Sequence, residues 1–309
     1  MRAVALGGGH GLHVTLRALR RLTDDVTAVV TVADDGGSSG RLRRELGLLP
    51  PGDLRQALVA LADDDEAAWS SVFQHRFGGD GPLAGHAVGN LMLAGLIEVL
   101  DDPLRALEEA GRLLGIRGRV LPMSTEPLDI EADVVGLDSR QGTVRRIRGQ
   151  VAVATTPGRV LRIRLHSTSV RPTACAAALD AVRGADVVLL GPGSWFTSVL
   201  PHLLLPDLAE ALVSTSAGKI VVVNLTPQPG ETSGFSPERH LDVLCEHAPS
   251  MRVDAVVADA GAVPDPAELR RSAKTLGARV LLDEVAIAGD RERHDPDALA
   301  ASLRRALGR

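Results

Sequence analysis

The chain has 309 residues, of which 45% are hydrophobic and 24% are charged, a composition typical of globular proteins. Its net charge of −5 gives no global basic field that could hold a nucleic-acid backbone. No apolar run approaches the ~18 residues that a membrane-spanning helix needs, and the N-terminal apolar run is broken by glycines too early for a signal peptide. We therefore expect a cytoplasmic protein that binds neither membranes nor nucleic acid.

The N-terminal residues predict a strand, a helix and a second strand. Ala3–Leu6 is a short apolar run that ends at three glycines, and leucines then mark one helical face over residues 12–19. The second strand, Val26–Val32, is rich in β-branched residues and ends at two aspartates. A glycine-serine loop is expected at residues 36–40.

The middle of the chain predicts helices and then strands. A helical elaboration is expected at about residues 50–112, and its second strong helix is His86–Leu100. Alternation of apolar and polar residues returns at Arg119–Met123 and Ile130–Val135, and residues 144–166 have the composition of strands and turns.

The second half repeats a strand-helix rhythm. A helix at Thr173–Val182 is followed by further helices that end near residue 307. The predicted strands are Asp186–Leu190, Lys219–Asn224, Ala255–Ala258 and Arg279–Leu282. Strands alternating with helices favour an α/β fold with a mostly parallel sheet covered on both faces. No linker divides the halves, so we expect one domain over residues 1–309.

Ligands of open parallel sheets bind beyond the carboxyl ends of the strands, and four groups of unusual residues lie at such positions. The loop Gly7–Leu12 lets backbone N–H groups approach a phosphate, although a plain tight turn is the alternative. In Asp34–Arg41, the acids could accept hydrogen bonds from a ribose or hold Mg²⁺. The hydroxyls, glycine amides and arginine of that segment could bind an anion.

The third group begins at Pro50–Arg55, where Asp53 is either a helix N-cap or a functional acid. His86 and Asn90 are four residues apart, so they share a helix face and could reach a ligand. The fourth group comprises two loops in the second half, at residues 191–198 and 224–232. Their hydroxyls and amides have no nearby catalytic base, which indicates binding groups or ordinary N-caps rather than nucleophiles.

These groups together fit a phosphorylated ligand such as a nucleotide. The candidate ligand-binding residues are Gly8, Gly9, His10, Gly11, Asp34, Asp35, Gly37, Ser38, Ser39, Arg41, Asp53, His86, Asn90, Gly191, Gly193, Ser194, Thr197, Ser198, Asn224, Gln228, Glu231 and Thr232. Asp34 and Asp35 are also the candidate metal ligands. No catalytic residue is assigned, because no nucleophile elbow and no His/Cys cluster with metal-ligand spacing occurs.

As an ordered set, the motifs resemble the YvcK branch of the CofD/YvcK family over nearly the whole chain. The matching segments are Gly7–Leu12, Ala33–Leu42, Pro50–Arg55, Phe73–Phe77, Gly85–Asn90, Leu121–Met123, Gly191–Ser194 and Gln228–Thr232. The resemblance implies a three-layer Rossmann-like fold. Where the family commonly has an aromatic hydroxyl, this chain has Trp195 and Phe196, which preserve stacking but not a phenolic hydrogen bond.

The resemblance implies a cytoplasmic gluconeogenesis factor that binds UDP-N-acetylglucosamine or a similar nucleotide-sugar. Such proteins regulate cell shape and wall synthesis during growth on gluconeogenic carbon. Expected partners are the nucleotide-sugar, proteins of wall synthesis and further copies of the chain. The alternative is an Mg²⁺-dependent 2-phospho-L-lactate transferase, an enzyme of deazaflavin-coenzyme synthesis, in which Asp34 and Asp35 would serve the metal and phosphate. Regulation rather than catalysis is the favoured interpretation, with Mg²⁺ as the only candidate cofactor.

Overall fold

A computed structural model describes residues 1–63, 67–138, 142–167 and 171–308. Its strands are β1 (Ala3–Gly7), β2 (Val26–Val30), β3 (Arg119–Pro122), β4 (Asp129–Val135), β5 (Val144–Arg148), β6 (Arg159–His166), β7 (Val187–Leu190), β8 (Gly218–Val222), β9 (Ala255–Asp259), β10 (Arg279–Asp283), β11 (Ala286–Ile287) and β12 (Asp290–His294). Its helices are α1 (Gly9–Leu19), α2 (Gly37–Leu46), α3 (Pro51–Leu61), α4 (Ala67–Gln74), α5 (Val88–Leu100), α6 (Pro103–Leu113), α7 (Gln150–Ala154), α8 (Ala176–Arg183), α9 (Pro206–Ser214), α10 (Pro237–His247), α11 (Pro266–Thr275) and α12 (Pro296–Ala306).

Seven parallel strands form the central sheet, in the order β10-β9-β8-β7-β1-β2-β3. In its middle, Ala5 of β1 lies between Ala28 of β2 and Leu189 of β7. All residues of β1, β2 and β7 are buried, as expected for strands covered by helices on both faces. The predicted α/β fold with a mostly parallel sheet is confirmed. Strand order reverses between β1 and β7, which creates the crevice where such sheets bind ligands.

Helices cover the sheet with an apolar face, which forms because their leucines repeat every three or four residues. Leu12, Leu16 and Leu19 are buried, as their spacing predicts. Helix α1 packs against α3 and α12, while α8 packs against α9 and α10 against α11. Within the described ranges no single helix is long and apolar enough to cross a membrane. One pair of consecutive helical segments, Trp195–Leu204 and Pro206–Ser214, reaches that length and apolar composition only when the two are taken together, and they are bent by 84° relative to each other.

A separate antiparallel sheet, ordered β5-β4-β6, was not predicted. Buried residues of β4 alternate with half-buried ones, so one face packs on the core and the other meets water. On the more exposed face, arginines form ion pairs with acidic side chains. Examples are Arg146 with Glu131 at 3.2 Å and Arg148 with Asp129 at 2.6 Å. The short antiparallel hairpin β11–β12 was also missed.

Three local predictions were wrong. Residues 36–40 are not a loop, since α2 begins at Gly37. A Cβ on Gly40 would lie 1.8 Å from the carbonyl oxygen of Asp35, so this turn of helix requires glycine. Pro50, not Asp53, is the N-cap of α3, and α5 begins two residues after His86.

Candidate functional site

The loops after β1 and β7 meet at the point where strand order reverses. A Cβ on Gly11 would lie 2.1 Å from the carbonyl oxygen of Pro192 and 2.6 Å from Cα of Gly193. Only a residue without a side chain allows this approach of helix α1 to the second loop. The two predicted glycine loops therefore line the same crevice.

Asn224, which follows β8, clamps the loop after β7. Its Oδ1 accepts a hydrogen bond from the Gly193 N–H at 2.8 Å, and its Nδ2 donates to the Gly193 carbonyl at 2.9 Å. Gln228 Nε2 donates to Ser194 Oγ at 3.3 Å. Both amides, predicted to contact ligand, help to fix the backbone of the crevice, while Gln228 Oε1 has no hydrogen-bond partner in the described part of the chain.

Glu231 holds the next part of the same loop from inside the protein. Its carboxylate accepts hydrogen bonds from the Phe196 N–H at 3.1 Å and from Thr197 Oγ1 at 3.5 Å. Burial raises the pKa of Glu231 to about 7. Thr232 is also committed internally, because its hydroxyl accepts from the Gln228 N–H at 2.8 Å. The structure thus surrounds these predicted ligand contacts with protein groups.

Asp53 lies at the N-terminus of α1. The backbone N–H of Gly9 donates to its carboxylate, and a Cβ on Gly8 would lie 2.3 Å from Asp53 Oδ2. Burial, together with the negative charge of Asp34, raises the pKa of Asp53 to about 7. The helix terminus that could hold a phosphate therefore already holds a carboxyl group of the protein.

The half-buried Asp34 lies beside the buried Asp53 and Ser39, and we call these three residues the acidic cluster. The Asp34 carboxylate accepts from the Gly36 N–H at 2.9 Å and from the Ser39 hydroxyl, while burial raises its pKa. Its Oδ2 would lie 2.9 Å from a Cβ on Gly52. Two carboxyls and a hydroxyl are oxygen donors of the kind that Mg²⁺ takes. Among the described residues no group of three or more His, Cys, Asp or Glu side chains suits a metal.

Asp35 turns away from this cluster to another helix. Its Oδ1 accepts a hydrogen bond from the Val151 N–H at 2.9 Å, in the first turn of α7. A Cβ on Gly149, the N-cap of α7, would lie 2.3 Å from Asp35 Oδ2. Helix N-termini stabilise such carboxylates. The charge of Asp35 still raises the pKa of Asp34, whose own charge raises the pKa of Asp53.

A second buried network joins the start of α2 to α5. Asn90 Nδ2 donates to Ser38 Oγ at 3.0 Å, and the Ser38 hydroxyl lies 2.9 Å from His86 Nδ1. Arg55 Nε donates to Asn90 Oδ1 at 2.8 Å. His86 and Asn90 thus meet through Ser38, not by sharing a helix face as predicted.

Two further candidates make structural contacts, and two are glycines in the left-handed region. Arg41 donates to the carbonyl oxygens of Ala84 at 2.6 Å and Pro82 at 3.3 Å, so it braces the turn before His86. Ser198 Oγ lies 3.2 Å from the Cβ position of Gly8 and links the two halves of the crevice. Gly37 and Gly191 both have positive φ, at 46° and 76°, which favours glycine.

An open cavity of about 340 Å³ is lined in part by residues of α1, and we call it the basic cavity. It is lined by His10, Gly11, His13, Val14, Arg17, Pro192, Gly193, Asn224, Leu225, Thr226, Gln228, Ile287, Glu292, Arg293, His294 and Pro296. One wall is a face of α1 with two histidines and an arginine, and the opposite wall is the β11–β12 hairpin. Two arginines face a single carboxylate in this lining, so its electrostatic character favours anions.

Most of the histidines and arginines that line this cavity were not among the candidates from the sequence. Only His10 was among the candidates, whereas His13, Arg17 and Arg293 were not. The spacing of His10, His13 and Arg17 places them on one helical face, and this was the available signal. Arg293 follows from no motif, because the hairpin that presents it was not predicted. Trp195 and Phe196 are fully buried, so neither can stack on a ligand as the resemblance suggested.

The sequence profile of the family described as 2-phospho-L-lactate transferase CofD matches residues 3–295. The chain belongs to the CofD family. It is 60% identical to a Mycobacterium tuberculosis protein named "Putative gluconeogenesis factor", over 97% of this chain and 88% of that protein. It is 35% identical to the "Gluconeogenesis factor" of Bacillus subtilis, over 96% of this chain and 95% of the relative.

Solved structures share this architecture. A crystal structure of a UPF0052 family protein from Bacillus halodurans is 34% identical, with a TM-score of 0.86 and 98% coverage of both chains. The predicted membership and fold are therefore confirmed. The curated relatives share the name of a gluconeogenesis factor, while the family description is that of a transferase.

Proposed function

We propose that this CofD-family protein is a cytoplasmic regulator that binds a nucleotide-sugar of the UDP-N-acetylglucosamine type. The observation that supports it best is the basic cavity, an open anion-attracting space at the crossover of the sheet. Relatives named gluconeogenesis factor support the regulatory part. Regulation would act on cell shape and wall synthesis during growth on gluconeogenic carbon, through wall-synthesis proteins as partners and through a homo-oligomer.

The proposed position of the diphosphate differs from the one expected from sequence. The sequence predicts that the diphosphate contacts the backbone of Gly8–Gly11 and Arg41. Asp53 already accepts from Gly9 there, and Arg41 is bound to two carbonyl oxygens. A second anion at the α1 terminus would be repelled by the ionised acidic cluster. We place the diphosphate in the basic cavity, near Arg293 and the exposed His10.

Calorimetric titration with UDP-N-acetylglucosamine tests this proposal. Arg293→Ala should weaken binding at least tenfold, or about 1.4 kcal/mol, because a charge-assisted contact to phosphate is lost. Arg271→Ala is the matched control: Arg271 is an exposed arginine of α11 paired with Glu268, outside the cavity lining. The proposal fails if wild type shows no binding up to millimolar ligand, with or without Mg²⁺.

The acidic cluster favours a second candidate, an Mg²⁺-dependent 2-phospho-L-lactate transferase. Two acids beside a phosphate permit such chemistry, since positioning and charge neutralisation supply most of the catalysis of phosphoryl transfer. When bound, the ion would neutralise phosphate charge, with Asp34 and Asp53 as its carboxyl ligands. These side chains fit that role because Asp53 is buried, Asp34 is half-buried, and they lie close enough for the charge of Asp34 to raise the pKa of Asp53, a repulsion that a cation would relieve.

The transferase is tested by incubating the protein with Mg²⁺, the deazaflavin acceptor and nucleotide-activated phospholactate. If it forms product, Asp34→Asn should abolish the reaction and Asp35→Asn should retain most of it, because Asp35 binds α7. The opposite result would return the metal role to Asp35, as the sequence suggested. Absence of product from wild type leaves the binding protein as the function.

A further inference from the structure

Aromatic side chains concentrate beside the crevice in a chain that has few of them. The sequence contains four phenylalanines, two tryptophans and no tyrosine. Three of these six residues, Trp195, Phe196 and Phe235, meet His240 in one cluster. The ring centroids of Trp195 and His240 are 5.2 Å apart, those of Phe235 and His240 are 5.4 Å apart, and those of Phe196 and Phe235 are 6.0 Å apart.

A cavity of about 280 Å³ adjoins this cluster, and we call it the ring cavity. It is lined by Asn224, Leu225, Thr226, Pro227, Gly234, Phe235, Ser236, Pro237, His240, Ala262 and Pro264. Most of these groups are apolar, and the half-buried Phe235 supplies an aromatic surface. The stretch 224–226 also lines the basic cavity, so the two cavities lie on either side of the same loop. A ligand with an anionic part and a planar part could span both.

His240, which lines the ring cavity, has a ring nitrogen that lacks a hydrogen-bond partner among the described residues. Its Nδ1 lies 3.1 Å from the carbonyl oxygen of Ser236, an acceptor, so Nδ1 bears the proton. Burial lowers the pKa of His240, which keeps the ring neutral and leaves Nε2 as an acceptor. Within the described part of the chain Nε2 has no hydrogen-bond partner, although the side chain is only 2% exposed. Buried acceptors without a donor are rare in proteins; over the residues that the structure describes, His247 and His294 share this feature, but of these three histidines only His240 lines the ring cavity.

We propose that the ring cavity takes the base of the nucleotide and that His240 Nε2 selects a base with a ring N–H, as in uracil. This inference rests on the proposed nucleotide-sugar binding. Uracil presents N3–H between two carbonyl groups, and guanine presents a comparable N1–H. Cytosine and adenine instead present an unprotonated ring nitrogen, which would oppose the acceptor of His240. Sites built to receive a hydrogen bond discriminate strongly against analogues that lack the donor.

The first test changes only the ligand and uses the wild-type chain. Titration with UDP, GDP, CDP and N3-methyl-UDP should give UDP at least tenfold tighter binding than CDP or the methylated analogue. The methyl group removes the donor while keeping both carbonyls and the diphosphate. GDP binding as tight as UDP would assign the site to ring N–H bases in general. Equal affinity for UDP, CDP and N3-methyl-UDP overturns the inference and leaves the proposed function standing.

The second test changes the acceptor. His240→Phe keeps an aromatic ring without Nε2, so it should weaken UDP at least tenfold and leave CDP within twofold of wild type. His247→Phe is the matched control, because His247 contacts Phe196 in the same cluster but does not line the ring cavity. Equal loss of UDP and CDP in His240→Phe would show a packing role only. Failure of every nucleotide to bind wild type would overturn the proposed function and the base site together.

Discussion

The acidic cluster and the basic cavity both adjoin the first turn of α1, yet they are built differently. In the acidic cluster, the half-buried Asp34 and the buried Asp53 accept hydrogen bonds from backbone N–H groups and a hydroxyl. In the basic cavity, His10 and Arg293 are exposed around about 340 Å³ of open space. The side with the denser sequence motifs is the side that the protein fills with its own groups.

This contrast teaches that a glycine loop of the phosphate-binding type can bind a carboxyl group of the same protein instead of a ligand. Glycines at 8 and 9 give close access to the α1 terminus, and Asp53 uses that access. The basic cavity depends instead on the β11–β12 hairpin, which no sequence motif predicts. Three predictions test the contrast, in order of decreasing effect.

The contact between the two glycine loops should be the most sensitive point of the crevice. Gly11→Ala places a Cβ against backbone atoms of Pro192 and Gly193, which cannot rotate away. We expect a loss of about 3 kcal/mol or more in the free energy of unfolding, as in overpacked sites. Urea denaturation measures it. Gly95→Ala is the control, since a Cβ on Gly95 of α5 meets nothing within 4 Å; equal stability of both variants would refute the close approach.

The acidic cluster should make stability depend on pH. The pKa of Asp53 is about 7 in the folded protein and lies near 3.9 in unfolded chains. Folded protein therefore binds the proton more tightly, and stability falls as pH rises from about 4 to 7. A pKa difference of one between the folded and unfolded states changes the free energy of unfolding by about 1.4 kcal/mol.

Asp53→Asn removes this ionisation and keeps an oxygen that can accept from Gly9. Its stability relative to wild type should therefore rise by a few kcal/mol between pH 4 and pH 8, as an order of magnitude. Denaturant unfolding of both proteins at several pH values measures the difference. Parallel curves would show that Asp53 titrates normally and that the cluster leaves its pKa unchanged.

Arg41 should give the smallest effect and the sharpest contrast with Arg293. Arg41→Ala removes hydrogen bonds to Pro82 and Ala84, and we expect a loss of about 1 kcal/mol in unfolding free energy. Affinity for UDP-N-acetylglucosamine should stay within twofold of wild type. A tenfold loss of affinity would instead support the diphosphate position expected from sequence.

Much of the fold was predictable because it depends on local pattern. The buried β-branched run of β2 and the leucine faces of α1 and α3 identify their elements with few residues of error. Helix α2 was missed because glycine and serine favour turns, whereas the close approach of Gly40 to Asp35 shows that this turn of helix needs a residue without a side chain. The β11–β12 hairpin is too short and too charged to give an alternating signal.

The sequence by itself determined the family, the α/β class and the strands whose following loops meet in one crevice. That much follows because parallel strands end at the same edge of a sheet, whatever the details of packing. Only the tertiary structure decided which groups of the crevice are hydrogen-bonded within the protein and which are accessible to a ligand. Asp53 reaches Gly9 and the hairpin reaches α1 across long stretches of chain, and such contacts depend on packing geometry that no local motif encodes.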